Sequence, residues 1–443
     1  MIGKSPDRTQ KDLFQPLMSE FINLNHELVL LSEKINWKEL EDEFSPLYSS
    51  TGTPSIPIRM MCGLLILKQI HNLGDETIME SWVRDPYMQY FCGEAHFQHK
   101  GPCDPSDLVH FRKRIGEKGI EKIFQQSILI HGRDARQDEI SVDTTAQEKN
   151  ITFPTDVKLQ IQIIKKCNAI ATQEGIVQRR SYTRKVKELL LLSRFSNHPK
   201  RKKQARKAQR KIKTIANSLV RELERKLNAG SQQRHQHDLN LFKRVLLQER
   251  YDSNKIYSLH ETEVACIAKG KAHKQYEFGS KVSVAITKTT GIIVGTLSFK
   301  GNPHDSQTIS PALDQHEKLT GIRAKVAIVD RGYPAKMING TQVIKPTNGK
   351  GKTPYEKQKS RKRFRRRAAI EPTISHMKHQ YRMIKNYLKG SLGDQINAMM
   401  AAAAYNFKKW MNKIRKKFLR LIYLLVFTCT ENRIVAGIGV VKD

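Results

Sequence analysis

Lys281–Phe299 reads KVSVAITKTTGIIVGTLSF: two β-rich runs, KVSVAIT and IIVGTLSF, parted by KTTG. Such runs on either side of a short polar break form the pattern of a hairpin. Downstream, Ser306–Lys318 reads as helical, with Ser306 placed to cap it. KVAIVD (Lys325–Asp330) then supplies a nearly continuous apolar run, Val326–Val329, as a strand buried on both faces requires. Gly332-Tyr333-Pro334 breaks that run, and Gln342–Lys345 forms one more short strand. Upstream, EISVDTT (Glu139–Thr145) alternates Ile140 and Val142 with polar residues and delivers Asp143 at a strand end. Strands interleaved with helical segments give an α/β, mixed α+β, fold class.

Helical patterns flank this core. From Trp37 to His131, apolar residues recur at helical spacing through Arg59–Ile70. A second helix opens after Gly74, with Asp75 as its N-cap, and ends near Arg84. Asp104-Pro105-Ser106 opens a third. Short helices with tight turns suit either a DNA-binding unit or a plain dimerising bundle, and the sequence leaves both open. Asp156 to about Arg250 is long, helical and basic: KRKKQARKAQRKIK, Lys200–Lys213, holds nine basic residues in fourteen and no acid. Like charges this dense repel one another unless phosphates neutralise them, which favours nucleic acid over a merely solvated face. The last helical region, Arg361–Lys417, carries RKRFRRR with six basic residues in seven.

Whole-chain numbers agree. The 443 residues carry 78 Lys+Arg against 43 Asp+Glu, a net charge of +35, with a sequence pI near 9.9. That excess implies a polyanionic partner and weighs against a small-molecule enzyme of central metabolism. Six cysteines without a C-x-x-C pair argue against a zinc ribbon or a disulfide framework and fit a reducing cytosol. No secretory apolar region opens the chain. The apolar stretch Leu421–Phe427 is too short to span a bilayer.

Three carboxylates stand out by context. Asp143 and Asp330 end strands, and strand ends line the functional edge of an open sheet. Glu371 precedes Pro372, which is tolerated only in a first helical turn, so Glu371 sits at a helix N-terminus. Glu371 and Lys378, seven residues apart, then lie about 20° from each other on one helix face, with Arg367 near it. Cleavage of a phosphodiester by in-line attack uses two divalent ions about 3.5–4 Å apart, and hard cations take oxygen ligands. Taken singly, a strand-end Asp is as readily a turn former, and a Glu among arginines an ion-pair partner.

The strings SVDTTAQEKNITFPTD, SLHETEVACIAKGKAHKQYEFGSKVSVA, GNPHDSQTI, VDRGYPA and RRRAAIEPTISHMKHQYRMIKNYLKG resemble the bacterial insertion-sequence transposases of the D-D-E class. The resemblance extends over most of Trp37–Trp410, and the helices around CDPSDLVHFRKRIG resemble that class's N-terminal domain. It implies a ribonuclease-H-like catalytic core. Residues 37–135 would be an end-binding or dimerisation domain behind a 1–36 leader. Residues 136–410 would form the catalytic domain, with a basic helical insertion at about 157–270, and 411–443 a basic then apolar tail.

The resemblance further makes Asp143, Asp330 and Glu371 the metal-binding triad, for two Mg²⁺ or Mn²⁺ ions per site. The class carries Tyr-x2-Arg-x3-Glu-x6-Lys around its glutamate; Arg367, Glu371 and Lys378 match, and Phe364 stands in place of the tyrosine. Arg367 and Lys378 would position phosphate. Lys200, Arg201, Lys202, Lys203, Arg365 and Arg366 would add phosphate affinity. His260, His273 and His304 rank second, as residues more often satisfied structurally than catalytic. Trp82 and Trp410 read as core or interface. The implied activity is cut-and-paste transposition: cleavage at terminal inverted repeats, then joining of the 3′-hydroxyl ends to target DNA. The implied partners are double-stranded DNA and a second copy of the chain in a synaptic complex, at the bacterial nucleoid, with neither membrane nor small-molecule substrate. A non-catalytic DNA-binding descendant and a nuclease without strand transfer are the alternatives.

Overall fold

The computed structural model describes every residue except Met1, 4–5, 9–13, 269–273, 347–352 and 439–443, and no side chain of 359–360 or 417–438. His273 and the side chains of the Leu421–Phe427 stretch therefore lie outside the described residues. The chain divides into two compact units, Met1–Glu148 with Lys281–Phe299 and Pro303–Asp443, and Lys149–Ser280 with Lys300–Asn302.

The first unit opens with helices α1 (Met18–Phe21), α2 (Glu27–Lys34), α3 (Trp37–Phe44), α4 (Ile58–Ile70), α5 (Asp75–Arg84), α6 (Pro86–Cys92) and α7 (Pro105–Leu129). Helix α4 is mostly apolar and buried along nearly its whole length, and α3, α5, α6 and α7 pack against it. The N-cap of α5 is Gly74, with Asp75 the first helical residue. Asp75 is instead engaged sideways: Arg112 donates to both its oxygens (2.9 and 2.6 Å), and Lys68 to Oδ1 at 2.5 Å. Although burial opposes ionisation, these donors hold the Asp75 carboxyl down at about 2. Asp104 caps α7 as expected, and Pro105 takes its first position. Gly116, at φ 58°, kinks α7, a backbone value that glycine adopts without a Cβ clash.

Strand β1 (Glu139–Lys149) follows. It runs past Thr145, so Asp143 lies inside a strand rather than at its end. Helices α8 (Asp156–Gln173), α9 (Thr183–Ser193), α10 (Lys202–Lys226) and α11 (Ala229–Leu247) make the second unit's own core, centred on Ile163, Cys167, Ile212, Leu219, Leu223 and Phe242. Strand β2 (Ala265–Ala268) pairs antiparallel with the beginning of β3 (Tyr276–Thr287).

The rest of β3 pairs antiparallel with β4 (Ile293–Phe299), which is the hairpin expected from KTTG. Helix α12 (Asp305–Thr320) comes next, capped by His304, whose Nδ1 accepts from the Ser306 amide. His304 thus takes the capping place expected of Ser306. Then follow β5 (Val326–Ile328), β6 (Met337–Ile338) and β7 (Thr341–Ile344). The sheet order is β2-β3-β1-β5-β7-β6, with β4 on β3, and β5 is parallel to both β1 and β7. This mixed sheet, flanked by α12 and the C-terminal helices, is the ribonuclease-H-like core.

Beyond it lie α13 (Pro354–Arg365), α14 (Ile370–Gln380), a two-residue strand β8 (Lys385–Asn386) beside β1, and α15 (Gly390–Ile438). The helical region expected over about Arg361–Lys417 is therefore interrupted from Tyr381 to Lys389. Side-chain amides of α12 and α15 satisfy the outer edge of β4. Ile293 N–H donates to Asn406 Oδ1 (2.9 Å), and Asn406 Nδ2 donates back to Ile293 O (2.8 Å). Gln315 brackets Thr296 in the same way, and Gln395 joins Ser298 to Thr296. An edge closed by amides cannot recruit another strand. Among the described residues no helix is long and apolar enough to cross a membrane.

Candidate active site

Parallel pairing places the two aspartates. β1 and β5 match Glu139 with Val326, Ile140 with Ala327 and Ser141 with Ile328, so Asp143 and Asp330 both lie four residues beyond the first matched pair. Asp143, within β1, and Asp330, two residues past the end of β5, therefore stand at one height on neighbouring segments. Each uses its Oδ1 on the amide that follows it: Thr144 N–H donates to Asp143 (2.8 Å), and Arg331 N–H to Asp330 (2.7 Å). The two Oδ2 atoms converge on one guanidinium. Arg367 Nη2 lies 3.4 Å from Asp143 Oδ2 and 3.4 Å from Asp330 Oδ2, and Arg367 Nε is buried without a hydrogen-bond partner.

Arg367 belongs to a 3-10 turn, Arg366–Ala369, that runs directly into α14. Glu371 stands four residues further, in the first turn of α14 and exposed, where the helix dipole favours a carboxylate. Lys378, half-buried, follows two turns later on the same helix. The structure thus brings Asp143, Asp330 and Arg367 together. Glu371 is not gathered with the aspartates: among the described residues no group of three or more His, Cys, Asp or Glu side chains is arranged to hold a metal.

Oxygen donors alone suit a hard divalent cation such as Mg²⁺, which keeps several waters and needs few carboxylates. The aspartate pair fits one, because both Oδ2 atoms already face a single positive charge. Asp143 and Asp330 would hold it, with Glu371 the nearest further carboxylate along α14.

The other expected residues are dispersed. Arg365 and Arg366 are exposed at the end of α13 and beyond it, and Arg366 Nη1 reaches Thr289 O at 3.5 Å. Lys200, Arg201, Lys202 and Lys203 are exposed in the second unit, and Arg201 lies over the Phe195 ring. His260 pairs with Ser258 Oγ at 3.1 Å. Trp82 is buried in the first unit's core, and Trp410 packs against it.

Sequence reasoning passed over the neighbours of the pair. Thr144 Oγ1 donates to Asp305 Oδ1 (2.9 Å), and Lys281 Nζ lies 2.6 Å from the same oxygen. Tyr333 is buried beside them, and burial together with the Asp305 and Asp143 carboxylates pushes its phenol up. The signals were the strings GNPHDSQTI and VDRGYPA, which carry Asp305 and Tyr333.

Comparison with known sequences matches residues 17–114 to the family described as "Transposase domain (DUF772)" and residues 255–407 to "Transposase DDE domain". Asp330 and Glu371 fall inside the second match, and Asp143 lies outside both. An uncharacterised protein of Rhizobium meliloti, ORF8 in the nfe locus, is 37% identical over 198 residues, 44% of this chain and 96% of that protein. No solved structure matches the chain. A helical transposase domain followed along one chain by a DDE domain is the layout of an insertion-sequence DDE transposase, and the chain belongs to that family.

Proposed function

We propose that the protein performs cut-and-paste transposition: it cleaves duplex DNA at terminal inverted repeats and transfers the 3′-hydroxyl ends to a target. The convergence of Asp143 and Asp330 on one positive charge, borne by an arginine four residues before Glu371 in the chain, is the observation that carries this reading. In it, Asp143 and Asp330 would hold Mg²⁺ or Mn²⁺, and Glu371 would supply a carboxylate to a second ion. The bound ions supply positive charge that makes water a better nucleophile and offsets charge on the leaving oxygen. Arg367 turns from the aspartates to the scissile phosphate, whose planar array of oxygens its guanidinium fits. Lys378 faces the neighbouring phosphate.

Long-range affinity comes from the second unit. Along α10, Lys203, Lys207, Arg210, Arg221 and Arg225 are exposed, and an ideal helix puts them within about 40° of one line. That line lies opposite the buried Ala205, Ile212, Leu219 and Leu223. It is about 33 Å long, close to one turn of B-form DNA. Residues 37–135 would recognise the ends, and a second copy would pair them.

The test is a joining assay. Full-length protein is incubated with Mg²⁺, a labelled duplex bearing the gene's own flanking sequence, and a supercoiled plasmid. Label covalently joined to the plasmid supports the reading. Cut ends without joined products would leave a nuclease; salt-sensitive binding without cutting would leave a DNA-binding protein that has kept the fold.

A further inference from the structure

We propose that Asp305 is a positioning residue that locks the two aspartates at their common height, acting through Thr144 and through the backbone at Gly332. The inference rests on the reading of Asp143 and Asp330 as the cation-holding pair. Asp305 opens α12, outside both segments that carry those residues, β1 and the loop after β5, yet it touches both. Its Oδ1 accepts from Thr144 Oγ1 at 2.9 Å, immediately after Asp143 on β1. Its Oδ2 lies close to the backbone of Gly332: a Cβ built there would stand 3.0 Å from that oxygen, tighter than an ordinary van der Waals contact. The loop that bears Asp330 therefore packs its backbone on the Asp305 carboxylate. The glycine two residues past Asp330 is explained by this close approach, since its φ is not positive.

Lys281 completes the brace. Its Nζ, only 12% exposed at the side chain, lies 2.6 Å from Asp305 Oδ1 and donates to Pro303 O at 2.8 Å. It thereby fixes the connection entering α12 as well as the carboxylate. β3, which carries Lys281, is the neighbour of β1. Asp305 thus ties three elements around the aspartates: β1 through Thr144, β3 through Lys281, and the loop after β5 through Gly332. Its Oδ1 already receives an ammonium and a hydroxyl, which distinguishes it from Asp143 and Asp330, whose Oδ2 atoms converge on Arg367. Neutralising Asp305 would leave the Lys281 charge uncompensated close to the pair and weaken the acceptor that holds Thr144. Both changes oppose cation binding.

Mn²⁺ titration of the full-length protein, with free ion read by electron paramagnetic resonance, tests this apart from activity. Asp143→Asn serves as the control, and circular dichroism melting follows the fold. Wild type should bind Mn²⁺ and Asp143→Asn should lose it. Asp305→Asn and the near-isosteric Thr144→Val should each weaken binding about tenfold, the lower range for a residue that orients a ligand. The double variant should bind no worse than Asp305→Asn alone, since both break one brace. Wild-type affinity in both single variants, with Asp143→Asn defective, would overturn the brace and leave the cation-site reading standing. Additive losses in the double variant, or a lowered melting temperature with unchanged affinity, would also overturn it. Wild-type affinity in Asp143→Asn would overturn the site reading and the brace with it.

Discussion

Arg367 is where the site's electrostatics concentrate. Two carboxylates at one height repel each other, and the guanidinium between them supplies the opposing charge. Arg367→Gln should lower single-turnover cleavage about 100-fold, the loss typical of removing one donor from developing charge, while DNA binding changes little. Rapid-quench measurement beside a filter-binding titration separates the two effects. His316 provides a test away from the site. It is fully buried, both its ring nitrogens lack partners, and burial drives its pKa down to about 4. Between about pH 6.5 and 4 the unfolded chain binds a proton that the folded chain refuses. Stability is complete above that window and falls as pH drops through it, by about 2 kcal/mol at pH 5. Denaturant melts at pH 7 and pH 5 should show this loss in wild type, and a smaller one in His316→Phe. The spacing of Arg367, Glu371 and Lys378 was legible in the sequence because one short segment holds all three. The Asp305 brace was not, because Thr144, Lys281, Asp305 and Gly332 meet only through tertiary packing.

Among elements, α15 and β4 show how packing completes what periodicity begins. The run Met399–Ala404 reads as a tightly packed helix, and all six residues are buried. Small side chains bring α15 close enough for Asn406 to serve the backbone of β4 directly. Replacing Asn406 with Leu would leave the Ile293 N–H and C=O buried without partners, at about 1–3 kcal/mol each. Urea unfolding should therefore register a loss of about 3 kcal/mol, against much less for an exposed α15 substitution such as Asn412→Leu. Most elements were foreseeable from local pattern: the β3–β4 hairpin, the apolar β5, and α7 with its Asp104 cap. The extent of β1 was not, because TTAQEK lacks the apolar alternation of a half-buried strand, and its pairing depends on residues distant in the sequence. His304 as the cap of α12 was equally hidden, since an imidazole accepting from an amide resembles any other polar loop residue.

At the scale of the whole molecule, the charge of +35 is distributed with purpose. The second unit keeps an apolar core while one face of α10 collects cations. Exchanging Lys203, Lys207 and Arg210 for Gln should weaken DNA binding at 100 mM salt. It should also flatten the plot of log affinity against log salt by up to about 3, roughly 0.9 for each phosphate that is no longer neutralised. An unchanged slope would move the DNA to another surface. The charge excess and the order of helical and α/β segments were legible from composition and pattern. The assembly of Asp143 with Asp330, 187 residues later, required the parallel register. The most direct measurement is Mg²⁺-dependent cleavage of end DNA by wild type beside Asp143→Asn, Asp330→Asn and Glu371→Gln, with binding followed in parallel. Each substitution should cut at least about 1000-fold more slowly, several kcal/mol of barrier, while binding DNA as wild type does. Wild-type cleavage by any one of the three would contradict the proposed catalytic site.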